Sequence, residues 1–157
     1  KRKQVLLSQG ETCNYLYFVS KGLLRAYYIK GEEDVSSWFM KEGDFIISVL
    51  SFFRREASNE SIETLSDCEV CYIHYDDLME LYDNYLEFNI IGRRLTEYYY
   101  CLSEMRLVAL RKQKATERYD YLLLNYPELV KRVPSKYLAS YLGIATETLS
   151  RIRSAVR

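Results

Sequence analysis

Residues able to do chemistry unaided are scarce in this 157-residue chain: one histidine, His74, and four cysteines, Cys13, Cys68, Cys71 and Cys101. Only Cys68 and Cys71 have the spacing of a metal pair, and "CEVCYI" reads as a strand, which turns residues three apart to opposite faces. With no second CxxC and a single histidine, no metal site is expected, and the cysteines read as buried free thiols in a reducing cytoplasm. A metal-dependent enzyme built on a β-roll needs several histidine ligands. No Ser-His-Asp or Cys-His set and no glycine-rich phosphate loop is legible either, so no catalysis is expected.

The polar chemistry gathers in the closing stretch, "SKYLASYLGIATETLSRIRSAVR". Ala139 and Gly143 are four apart and Leu149 follows six later, which is helix-turn-helix spacing. A small residue lets the second helix cross close above the first, the glycine takes the turn, and the leucine plugs the shared core. Leu138, Leu142, Ile144 and Ile152 complete the apolar side. Thr146, Glu147, Thr148, Ser150, Arg151 and Arg153 are then left on or near the outer side of the second helix, with Lys136 at the start of the first. Such groups suit a major groove: arginine pairs with O6 and N7 of guanine, glutamate accepts from the cytosine amino group, and hydroxyls meet phosphates. Arg151 is expected to read a base edge and Arg153 to lie nearer the phosphates. Thr146 can also cap the helix while Glu147 favours its dipole.

Charge supports a polyanion partner. The chain is formally neutral, yet residues 1–105 hold 11 basic and 18 acidic side chains, and residues 106–157 hold 11 and 4. At 48% hydrophobic and 15% aromatic it can bury a core. No apolar run is long enough to span a bilayer, and the opening "KRKQVLLSQGE" has neither the apolar stretch nor the cleavage site of a signal peptide, so a soluble cytoplasmic protein without a membrane partner is expected.

The elements that must position the tail follow from periodicity. "QVLLS", "YLYFVS", "LLRAYYI", "VSSWFM", "DFIISVL", "SIETL" and "CEVCYIHY" read as short strands, with Gly10, Gly22, Gly31 and Gly43 at tight turns, which predicts an antiparallel β-roll. After Tyr75 the period becomes helical, with Asp76 and Asp77 at a helix start. Phe88, Ile91, Leu95, Tyr98, Leu102, Met105 and Ala109 are spaced alternately 3 and 4 apart, a heptad seam that predicts pairing of two chains through Ile91, Leu95, Tyr98, Leu102 and Met105. The competing reading is a helix packed on its own β-domain, since Ile90, Tyr99 and Leu110 form a second apolar face. "ATERYDYLLLNYPEL" is a shorter helix stopped near Pro127, and "VKRVPS" a link into the tail.

On these residues the chain resembles a known family. "LGIATETLSRIR" resembles the recognition motif of the cyclic-AMP receptor protein/FNR (CRP/FNR) superfamily of bacterial transcription regulators, and "ATERYDYLLLNYPELVKRVPSKYLASYLGI" looks like the branch common in Bacteroidetes. "GETCNYLYFVSKGLLRAYYIKGEE" and "EGDFI" resemble the opening and the central turn of the cyclic-nucleotide-binding roll. The resemblance implies an α+β architecture: a sensor roll over 1–83, a dimerisation helix over 84–112 and a helix-turn-helix unit over 113–157. It implies a homodimer on double-stranded DNA, an inverted-repeat operator, RNA polymerase as a candidate further partner, and Thr146, Glu147 and Arg151 as base readers. Thr146 stands where the best-known members have arginine.

The effector pocket departs from that family. Ile47 and Ser48 stand in place of the Gly-Glu pair that holds the ribose, and Ser58 and Asn59 in place of the Arg-Ser pair that holds the cyclic phosphate. Each missing charge-assisted contact is worth roughly 1.5–3 kcal/mol, so cyclic AMP is not expected to bind and the effector is unidentified. Arg54 and Arg55 lie nearby as candidates for another anion. Cys13 alone precedes the roll, which argues against an FNR-type iron-sulfur cluster, and His74 reads as a structural residue rather than a haem ligand. A second functional reading is a regulatory module of cyclic-nucleotide-binding type acting on a partner protein, with the tail as its docking surface.

Overall fold

In the computed structural model, which describes residues 1–155 (Lys112 through its backbone), seven strands precede six of the seven helices. The strands are β1 (Val5–Leu7), β2 (Tyr15–Lys21), β3 (Leu24–Lys30), β4 (Glu33–Met40), β5 (Phe45–Ile46), β6 (Ser61–Thr64) and β7 (Glu69–His74). They form two antiparallel sheets, ordered β1-β6-β3-β4 and β5-β2-β7, the roll that the alternating pattern predicts. Gly10, Gly22, Gly31 and Gly43 all take positive φ at turns. Leu7, Tyr17, Val19, Leu24, Met40, Phe52 and Ile62 fill the space between the sheets.

The helices are α1 (Val49–Arg54), α2 (Tyr75–Asn84), α3 (Leu86–Lys112), α4 (Ala115–Asn125), α5 (Pro127–Arg132), α6 (Ser135–Leu142) and α7 (Thr146–Ala155). Two segments depart from the sequence reading. "DFIISVL" is strand only at Phe45–Ile46 and then turns into α1, where Phe52 is buried in the roll core while Val49 and Leu50 stay exposed. "VKRVPS" is not merely a link: its first residues belong to α5, whose first residue is Pro127, where a missing N–H costs nothing. The expected helix over 84–112 begins at Leu86, because Tyr85 takes an extended conformation between α2 and α3. Val156 and Arg157, the end of the expected 113–157 unit, lie outside the described residues.

Gly92 explains how α2 and α3 fold back on each other. A Cβ there would sit 2.5 Å from the Tyr82 hydroxyl, so a larger residue would push the helices apart. Among the described side chains of α3 none is fully buried.

A second core joins the two halves. Leu23 and Phe39, from the outer face of the four-stranded sheet, pack with Tyr119, Leu122, Leu129, Leu138, Leu142, Leu149 and Ile152 of the helical end. Strand β4 is a sheet edge, and α6 covers it: the Ser36 N–H donates to Ser140 Oγ at 3.0 Å.

Candidate nucleic-acid interface and effector cavity

Helices α6 and α7 meet as the tail spacing predicts. Gly143 ends α6 at φ 67°, a left-handed turn that only glycine adopts freely, and Ile144 N–H reaches back to the Ala139 carbonyl at 3.1 Å. Ala139 and Leu149 are each 1% exposed and share one core. On the outer side, Lys136, Thr146, Glu147, Ser150 and Arg151 are exposed and Thr148 half-buried. Thr146 is the first residue of α7 rather than the residue before it, so capping is not its geometry, while Glu147 lies in the first turn where its charge favours the dipole.

Arg153 is placed differently from the sequence expectation. Its Nη1 donates to Ser135 Oγ at 2.7 Å and its Nη2 to the Val130 carbonyl at 3.3 Å, tying α7 to α5 and α6. The second half of the short helix α5, which the sequence reading took for part of a link, supplies that carbonyl.

The seam residues of α3 face outward. Ile91 is 59% exposed, Tyr98 54% and Met105 52%, while Leu95 and Leu102 are half-buried. Tyr99, on the second face, turns to the roll: its hydroxyl accepts from the Phe45 N–H at 2.7 Å, and burial pushes its pKa up to about 12. One side of this helix thus packs on the roll, and the other is exposed in the single chain.

Between the roll and α3 lies a cavity of about 350 Å³, lined by Leu16, Met40, Ile46, Ile47, Phe53, Tyr82, Leu95, Tyr99 and other largely apolar side chains. Among the described residues its only charged lining side chain is Glu60, whose Oε2 accepts from Ser37 Oγ at 2.9 Å. Of the expected pocket residues, Ile47 lines this cavity. Ser48 and Ser58 are buried and bonded to each other at 2.9 Å, and Asn59 is exposed. Arg54 and Arg55 do not line the cavity. Arg54 is exposed beside Glu56 at 3.9 Å. Arg55, in the left-handed conformation that ends α1, donates to the Cys13 carbonyl at 2.8 Å and stacks over Tyr75. Its Nη1 also donates to the Phe52 carbonyl at 3.3 Å, one of the last-turn carbonyls that the end of α1 leaves without an intrahelical partner.

The cysteines are not uniformly buried: Cys13 is, Cys68 is half-buried, and Cys71 and Cys101 are exposed. His74 precedes α2, and its Nδ1 accepts from the Asp76 N–H at 3.3 Å, a structural role. No helix among the described residues is long and apolar enough to cross a membrane.

Several charged groups that hold the two halves together escaped the sequence reading. Arg25 is 1% exposed, bonded to Asp34 at 2.6 Å and Glu63 at 2.6 Å, and its guanidinium lies 3.6 Å from the ring centre of Tyr137 on α6. Arg132 of α5 clasps Glu42 of the β4–β5 turn through two hydrogen bonds of 2.7 and 2.9 Å. The one signal for Arg25 is a charge in the middle of the apolar strand "LLRAYYI", where an unpaired charge could not be buried.

Residues 1–85 match the cyclic nucleotide-binding domain family. Over 97% of its length the chain is 24% identical to the transcriptional activator protein FnrA of Stutzerimonas stutzeri, of which it covers 66%, just under two thirds. It superposes on FixK2 from Bradyrhizobium japonicum with a TM-score of 0.85 at 18% identity, covering 99% of this chain and 81% of that one. A regulator of the CRP/FNR family from Eubacterium rectale gives 0.74 at 16% identity, over 97% and 73%. The chain belongs to the cyclic nucleotide-binding domain family and carries, through its helical end as well as its roll, the fold of CRP/FNR regulators.

Proposed function

We propose that this protein is a DNA-binding transcription regulator of the CRP/FNR type, working as a homodimer on an inverted-repeat operator. The observation that carries the reading is the tail: a helix-turn-helix pair with a glycine turn, whose second helix holds its apolar side in the core and presents Thr146, Glu147, Ser150 and Arg151 to solvent. The chain divides into a sensor roll (1–83), a dimerisation helix (84–112) and the reading unit (113–157). RNA polymerase is a candidate further partner. The cavity between roll and α3 takes a small-molecule effector; among the described residues its wall has Glu60 as its one charge and no lysine or arginine, so a cyclic phosphate has no counter-ion there and cyclic AMP is a poor candidate.

Two chains related by a two-fold axis present two α7 helices to successive major grooves, so half-sites should lie about one helical turn apart. Selection of bound sequences from random duplex DNA should return an inverted repeat. Arg151→Ala should then weaken binding by about 1–3 kcal/mol and relax preference at one base pair per half-site. Unchanged affinity and preference in that variant would favour the tail as a protein-docking surface.

A further inference from the structure

The cavity between the roll and α3 has a chemistry of its own. At about 350 Å³ it lies at the small end of the roughly 300–1,000 Å³ of ligand pockets, with room for a molecule built on one ring. Trp38, Phe45, Phe53, Tyr82, Tyr99 and Tyr100 give it aromatic walls. Glu60 gives it a carboxylate, and among the described residues no lysine or arginine stands in the wall to answer that charge.

The backbone of Glu60 is fixed by one hydroxyl. Its N–H donates to Ser58 Oγ at 3.2 Å, and its carbonyl accepts from the same group at 2.6 Å. Ser58 is itself buried and bonded to Ser48. The segment expected to grip a cyclic phosphate thus sets an acid in the wall instead. Within that carboxylate, Oε2 takes the Ser37 hydroxyl at 2.9 Å, while Oε1 has no hydrogen-bond partner among the described residues and is not sealed from solvent.

A protonated amine answers both features. An ammonium donates to a carboxylate in a charge-assisted hydrogen bond, and the faces of aromatic rings attract a cation. A carboxylate or phosphate ligand would instead meet Glu60 as like charge on like.

We propose that this cavity binds a small hydrophobic amine in its protonated form, the ammonium on Glu60 Oε1 and the apolar body among the aromatic rings. The inference rests on the reading of the cavity as an effector site and names the class of ligand. Leu95 lines the cavity and belongs to the expected seam, so an occupant touches the roll and α3 together. Any bias that it places on DNA affinity must be returned by DNA on the amine.

Calorimetric titration of the full chain with phenethylamine, 2-phenylethanol and 3-phenylpropanoate tests the site. Saturable binding of the amine is expected, with the alcohol at least about tenfold weaker and the acid not binding, because the charge-assisted contact is lost in one and reversed in the other. Glu60→Gln should weaken the amine by a similar factor and leave the alcohol unchanged. An alcohol or acid that binds as tightly as the amine, an amine indifferent to Glu60→Gln, or no amine binding at millimolar concentration would overturn the proposal. Should Glu60→Gln fail to fold, Thr96→Trp, at an exposed position in the cavity wall, takes its place: the amine should again bind at least about tenfold weaker, and unchanged affinity sinks the site. DNA affinity is then measured with and without saturating amine. A bound amine that leaves it unchanged removes the effector reading and keeps the ligand site, whereas a neutral or acidic ligand that binds in the amine's place removes the amine and keeps the effector reading.

Discussion

Arg151 and Arg153 are two residues apart on one helix, yet α7 uses them for different ends. Arg151 is exposed, whereas Arg153 spends its donors on Ser135 and on the Val130 carbonyl. Replacing Arg153 by alanine should remove two hydrogen bonds of about 0.5–1.5 kcal/mol each and lower the urea midpoint, with wild-type base preference retained. Arg151→Ala, on an exposed surface, should stay within about 0.5 kcal/mol of wild-type stability. A set of urea melts on the two variants checks the contrast. The sequence placed both arginines near the outer face because helical spacing fixes an angle around the axis to within about a residue. It could not show that α5 would bring a carbonyl to one of them.

At the scale of elements, α3 has no buried residue among its described side chains, and its two sides differ. Tyr99 is bound to the roll, while Ile91, Tyr98 and Met105 present an apolar strip to solvent in the single chain. Changing Leu102 and Met105 together to glutamate would place charges in the expected seam and should convert dimer to monomer in sedimentation velocity at micromolar concentration; a monomeric wild type would remove the pairing altogether. The heptad period and the glycine turn between α6 and α7 were legible because each is a local rule repeated or fixed by backbone sterics. Helix α1 was not, since "IISVL" is apolar and β-branched and only burial of Phe52 decides its form. Where Arg54 and Arg55 turn was not legible, because nearness in sequence does not say which way a loop turns its side chains.

For the molecule as a whole, the helical end is seated on the roll by charge as well as by apolar packing. Arg132 and the Gly22 N–H hold the Glu42 carboxylate, and its pKa falls to about 2 from an ordinary value of 4.5. A carboxyl depressed in the folded state adds stability that is present above about pH 4.5 and is lost as pH falls through about 2. Urea denaturation at a series of pH values should therefore show wild type losing more stability across that window than Glu42→Gln; as both side chains are partly exposed, salt should narrow the difference. Seating the helical end on the sheet has a further effect. Leu23 and Leu24 are neighbours in the chain and sit in different cores, as do Phe39 and Met40. An ordinary surface sheet has one side on which mutations can drift. At these two steps the sheet has none, so a change at any of the four positions is felt in the core of the roll or in that of the helical end, and drift there cannot proceed without one of them.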